Sequence, residues 1–204
     1  MRRYFRRDLS ALSLLISNLA AIGFALVQNW DLAVLMWIYW GQSVIIGFSN
    51  FARILNLKEF STKGMYVNGR AVEPTTKTKR NTAFFFLCHY GFFHLIYFLF
   101  LIGTAQLAPG DVAPVMLCVA LFLVNHSFSF LYNLKRDLAR KPNIGTVMFF
   151  PYARIIPLHL TIILGSILAK GMGGMILFLS LKTLADLIMH AVEHARGLKL
   201  NDRV

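Results

Sequence analysis

Residues 82–106 read TAFFFLCHYGFFHLIYFLFLIGTAQ, without one Asp, Glu, Lys or Arg. Wound as a helix at 1.5 Å per residue, the stretch is about 37 Å long, enough to cross roughly 30 Å of hydrocarbon. A barrel strand would alternate apolar and polar residues, and this run does not, so the element expected is a helix that satisfies its own backbone hydrogen bonds. Working outward, further apolar runs lie at 10–28, 32–57, 113–134, 151–169 and 172–196. The chain of 204 residues is 57% hydrophobic and 15% charged, which leaves no room for a large soluble domain. The expected fold is all-α, a polytopic transmembrane bundle of six helices forming a single integral membrane domain over residues 1–204.

The charges orient this bundle. Arg2, Arg3, Arg6 and Arg7 precede the first span, and Lys58, Lys63, Arg70, Lys77, Lys79 and Arg80 lie between the second and third. Lys135, Arg136, Arg140 and Lys141 lie between the fourth and fifth, and Arg196, Lys199 and Arg203 follow the last. The opposite side holds only Lys170, with Asp31 and Asp111 in its turns. The positive-inside rule therefore places both termini and the loop 58–81 in the cytoplasm. A net charge of +12 would ordinarily suggest nucleic acid, but basic domains that bind it are neither so apolar nor so poor in acids, and no nucleic-acid partner is expected. The first span follows a basic segment without a small-residue cleavage site and is read as retained. Cys88 and Cys118 fall inside spans, which excludes a disulfide framework. Within the 58–81 loop, Tyr66 to Val72 alternate around Asn68-Gly69, the signature of a small hairpin.

The six histidines all lie in spans, where ionisable residues are costly and face a bundle interior or a wet cavity. Counted from the cytoplasmic ends, His89, His126, His159 and His190 sit about six to eight residues in, a layer roughly 9 to 12 Å deep. His194 is nearer the surface, and His94, about twelve residues in, points about 140° away from His89. Polar stripes run with them: His126, Ser129, Asn133 and Arg136 on one helix, and Gln42, Asn50 and Arg53 on another. The last span carries Lys182 and Asp186, which can neutralise each other at four-residue spacing, and then His190-Ala191-Val192-Glu193-His194. In this H-x-x-E-H pattern the two histidines share a helix face and can bind one metal ion, while Glu193 can act as the catalytic base on a metal-bound water. His89, His126 or His159 would supply a third metal ligand, leaving a position open for that water, and Asp186 or Asn50 would buttress the ligands. Arg154 can either snorkel to phosphate headgroups or contact an anionic substrate. The Phe-rich run 84–100 reads as lipid-facing and packing surface.

Several segments resemble an uncharacterised group of prokaryotic multi-pass membrane proteins known only as a domain of unknown function. They are Asp8-Leu9-Ser10, Tyr39-Trp40-Gly41-Gln42-Ser43, His89-Tyr90-Gly91-Phe92-Phe93-His94, Asn125 to Phe130, Arg154 to His159, and Lys182 to His194. The resemblance covers nearly the whole chain and implies the prokaryotic cytoplasmic (inner) membrane, with no activity attached. The His190/His194 pair is also similar to that on the last span of the seven-span zinc-dependent lipid hydrolases related to alkaline ceramidases and to progestin and adiponectin receptors. This chain has six expected spans and no Ser four residues before any candidate third histidine, so that likeness implies only the chemistry.

The leading expectation is thus a histidine-rich site for a divalent transition metal, zinc ahead of iron, in the cytoplasmic half of the bundle. Its economical reaction is hydrolysis of a lipid-like ester or amide drawn from the lipid bilayer. The alternative is non-catalytic: a haem-binding subunit with histidines such as His89 and His159 as axial ligands to haem b, or a transport or accessory subunit. A third reading leaves the polar residues only to hold helices together. The small residues Ser10, Ser13, Ser17 and Ala21 suit internal packing or an oligomer equally.

Overall fold

The computed structural model describes residues 32–138, 141–153, 155–156, 159–160, 176–177, 179–181 and 183–184. Contacts divide the chain into two compact units, Ala33–Tyr152 and the combination of Met1–Leu32 with Ala153–Val204. The described residues of the latter are helical, with the Thr183 hydroxyl donating to Leu179 O, four residues earlier, at 2.8 Å. The expected spans 10–28 and, for the most part, 151–169 and 172–196 lie outside the described residues.

The described chain is mostly helical. Helix α1 spans Leu32–Asn56, α2 Thr76–Thr104, α3 Val112–Leu138 and α4 Ile144–Phe149, with a two-stranded antiparallel hairpin, β1 (Tyr66–Val67) and β2 (Arg70–Ala71), between α1 and α2. Two of the helices, α1 and α2, are long and apolar enough to cross a membrane, with mean hydropathies of 1.5 and 1.9. The apolar part of α3 is shorter, Val112–Val124. Six helices able to span are therefore not what the described residues form.

Helix α2 begins six residues before its apolar run, because Thr75 caps it. The extended Thr75 (φ −99°, ψ 161°) accepts from Thr78 N at 3.2 Å, and the Thr78 hydroxyl donates to Glu73 O at 2.8 Å. This satisfies backbone groups that a helix start otherwise leaves to solvent, so the Thr/Lys run winds up. The expected hairpin forms. Asn68 (φ 51°) and Gly69 (φ 75°) adopt the left-handed conformations that a two-residue turn needs, and Tyr66 pairs with Ala71, Val67 with Arg70.

One element lies where the sequence reading had only a connection. Asn143 caps α4, its Oδ1 accepting from Thr146 N at 3.0 Å while its Nδ2 donates to Lys63 O at 2.8 Å. A parallel bridge joins Ser61 to Asn143, with Ser61 N donating to Pro142 O (2.9 Å) and Ile144 N to Ser61 O (3.0 Å). Leu57, Phe60 and Ile144 are buried beneath these bonds. The polar connection 57–75 and the segment 142–149 thus form one ordered cap over the ends of α1 and α2. Lys79 Nζ closes it by donating to Leu57 O at 2.9 Å, a cation placed just past a helix C-terminus.

Candidate functional site

Helices α1 and α2 run antiparallel in a register that ring and hydrogen-bond contacts fix. Trp37 Nε1 donates to Ala105 O at 2.8 Å, Trp40 Nε1 donates to His94 O at 3.0 Å, and Phe51 meets Phe84 edge-on at 5.5 Å. Between these points the helices come very close, because Gly47 carries no side chain. A Cβ there would lie 2.5 Å from Tyr90 Cε1, so only glycine admits the Tyr90 ring.

The tight approach carries three buried polar groups into one cluster. His94 Nδ1 lies 2.9 Å from Tyr90 O, its Nε2 lies 2.9 Å from Ser43 Oγ, and the Ser43 and Tyr90 hydroxyl oxygens are 2.9 Å apart. The Tyr90 hydroxyl also donates to Ser43 O at 3.1 Å. A carbonyl can only accept, so Nδ1 carries the imidazole hydrogen and Nε2 accepts from the Ser43 hydroxyl. The cluster is closed, with a partner for every polar side-chain atom, and among the described residues no buried side-chain nitrogen or oxygen lacks one. In an apolar medium such a cluster ties helices together, since any of these groups left single would have no water to turn to.

Beside the cluster lies a groove of about 280 Å³ between α1 and α2. Trp40, Val44, Gly47 and Phe48 form one wall, Phe86, Leu87, Tyr90, Gly91, His94, Leu95 and Phe98 the other. Its lining is almost wholly apolar, since the polar atoms of Tyr90 and His94 are taken up in the cluster. Gly91 gives the groove its width, for a Cβ at that position meets nothing within 4 Å. Two glycines one helix contact apart thus have opposite roles, one filled by a neighbouring ring and the other left open.

The residues singled out from the sequence fall as follows. Arg154, Asp186, His190, Glu193 and His194 lie outside the described residues. His89 is on the exposed face of α2, its Nδ1 2.9 Å from the Tyr152 hydroxyl and its ring stacked on Phe85 at 5.3 Å. His126 is half-buried and stacked on Phe122 of its own helix at 5.3 Å, and His159, in the other unit, is exposed. Asn50 is buried and donates to Val147 O at 3.1 Å, anchoring α1 to α4. Among the described residues no three of His, Cys, Asp and Glu gather as a metal site would require. His89 and His94 lie on different faces of α2, one exposed and one buried. Cys88 and Cys118 are free thiols.

Sequence reasoning set His94 apart as too deep for the histidine layer and gave Ser43 no role. The signal was nevertheless available: counted from the polar connection, Ser43 on one helix and His94 on the next lie at about the same depth, twelve to fourteen residues in. No characterised protein and no solved structure matches this chain. A family model matches residues 1–202, and the chain belongs to DUF6498, a family of unknown function.

Proposed function

We propose that this chain is a multi-pass protein of the prokaryotic cytoplasmic membrane that holds a lipid-like molecule in the groove between α1 and α2. The observation that carries this reading is the groove itself: about 280 Å³ of apolar space at mid-helix, with exposed Phe48 and Leu95 in its walls. Space of that size and lining suits an acyl chain entering sideways from the bilayer, since pockets of a few hundred Å³ bind apolar ligands by burial. The topology proposed with it has six spans, with both termini and the loop 58–81 in the cytoplasm, a reading that the distribution of Lys and Arg supports.

Photo-crosslinking with a diazirine-bearing phospholipid tests this on the purified full chain. Labelling is expected to concentrate on the peptides holding 40–48 and 86–98, well above the lipid-facing Leu121 and Val124 of α3, and to fall in Gly91→Phe, which fills the groove from a position with open space around it. Equal labelling of groove and α3, unchanged by Gly91→Phe, would show only bulk lipid and sink the reading.

A metal-dependent hydrolytic centre is the second reading, favoured by the His190, Glu193, His194 spacing. On this reading His190 and His194, with His89, His126 or His159, bind zinc ahead of iron, and Glu193 is the base. Elemental analysis and a visible spectrum on one sample decide it. About one metal per chain, lost in His190→Ala/His194→Ala, is expected; metal-free, colourless protein that stays folded removes both the metal and the haem b alternatives.

A further inference from the structure

The cap formed by the 57–75 connection has an ordered base and an exposed tip. Its base is pinned by the Ser61–Asn143 bridge, by Asn143 to Lys63 O and by Lys79 to Leu57 O, and the Thr62 hydroxyl and Met65 bond across to Val72 beneath the hairpin. Its tip is the β1–β2 hairpin, all four strand residues of which are exposed, with Tyr66 at 68% and Val67 at 62%. An aromatic and a branched aliphatic residue thus stand exposed at the end of an ordered base.

The charges of the connection favour an anionic surface. From Leu57 to Arg80 the chain carries six cations, Lys58, Lys63, Arg70, Lys77, Lys79 and Arg80, against Glu59 and Glu73. Lys79 is committed to the base, whereas Lys58, Lys63, Arg70, Lys77 and Arg80 are exposed, as is Lys141 beside the bridge. In the hairpin pairing Val67 stands opposite Arg70, so an apolar group and a cation are presented together. The connection is also tethered at both ends to helices apolar enough to enter a bilayer, which keeps the tip within a few nanometres of the leaflet surface.

We infer that this hairpin docks on anionic lipid headgroups of the leaflet nearest the cap, with Tyr66 and Val67 at the headgroup boundary and Lys63 and Arg70 on phosphate. Tyrosine belongs at such a boundary, its ring in the apolar margin and its hydroxyl in water, and cations concentrate at a negatively charged leaflet. The inference rests on the membrane reading of α1 and α2 but not on what the groove holds.

The test labels Tyr66→Cys with an environment-sensitive fluorophore in the full chain carrying Cys88→Ala and Cys118→Ala, reconstituted in nanodiscs. With about 30% anionic lipid a blue-shifted emission and at least a threefold drop in quenching by an aqueous quencher are expected relative to zwitterionic discs, reversed by about 0.5 M salt or by Lys63→Gln/Arg70→Gln. A tip equally open to quencher in both lipids overturns the inference and leaves the hairpin to a soluble acidic partner. Gly91→Phe is expected to leave the signal unchanged, and a chain that enters discs without any lipid-dependent change at the tip fails here while the membrane reading stands.

Discussion

Between Trp40 and Gly47, α1 is held to α2 by side chains: a tyrosine ring seated on a glycine, and a serine, a tyrosine and a histidine bonded to one another and to backbone oxygens. Beyond Asn56 the same chain is held by backbone groups, Ser61 N to Pro142 O and Ile144 N to Ser61 O, with side chains serving as caps. The difference follows from what the backbone has left to give. Inside a helix every amide is already engaged, so association must come from close packing and side-chain bonds, whereas in an irregular segment free amides can pair across to a neighbour. The clasp is therefore intolerant of shape and the cap intolerant of losing a particular donor.

The largest effect expected is at Gly47. Gly47→Leu drives a branched side chain into the Tyr90 ring and breaks the packing of α1 on α2; a loss of about 3 kcal/mol or failure to purify as a monodisperse species is expected, read by thermal unfolding in detergent. If Gly47→Leu melts with the parent, the clasp does not hold the helices.

Next comes Ser43→Ala, which removes the donor to His94 Nε2 while leaving the backbone oxygen at position 43 to accept from the Tyr90 hydroxyl, and is expected to cost about 1 kcal/mol. Combined with Tyr90→Phe, which removes the hydroxyl 2.9 Å from Ser43 Oγ, it should depart from the sum of the two changes, because the two hydroxyls touch within one network; strict additivity would mean that they are independent.

In the cap, Asn143→Ala strips both the α4 cap and the bond to Lys63 O and is expected to cost about 1 kcal/mol. Its signature should be local: faster amide hydrogen exchange at 61–63 and 144–146, with the amides of 86–98 as slow as before. Exchange that quickens throughout α2 would erase the distinction between the two regions. The smallest effect is a gain. Gly91→Ala adds a methyl group to open space in a helix interior and is expected to stabilise α2 by about 0.5 kcal/mol, measured as a small rise in melting temperature.

The apolar run 82–106 and the alternation around Asn68-Gly69 were enough to read a long helix and a hairpin, because both depend on local pattern. What pattern could not give was the early start of α2, decided by one threonine hydroxyl at Thr75, or α4, a six-residue element whose cap at Asn143 reaches back to Lys63. Both come from contacts between segments that share no periodicity. For the candidate site, histidines in apolar runs drew the reading to ligation by His89, His126, His159, His190 and His194, whereas the buried His94, set apart from them, has its bonds filled by Ser43 and its own helix, and the groove next to it is made chiefly of apolar residues that no motif would flag. Space between side chains is a property of register, and only the antiparallel pairing of α1 and α2 revealed it.

The two glycines also separate what drift can do to this family. At position 47 a larger residue is opposed by the Tyr90 ring, so glycine there is kept by the fold whatever the protein does. At position 91 the fold exerts no such pressure, and neutral substitution should scatter alanine, serine and larger residues through related sequences. If glycine nonetheless persists at 91 across DUF6498, selection is preserving an empty volume, and the constraint comes from the molecule that fills it.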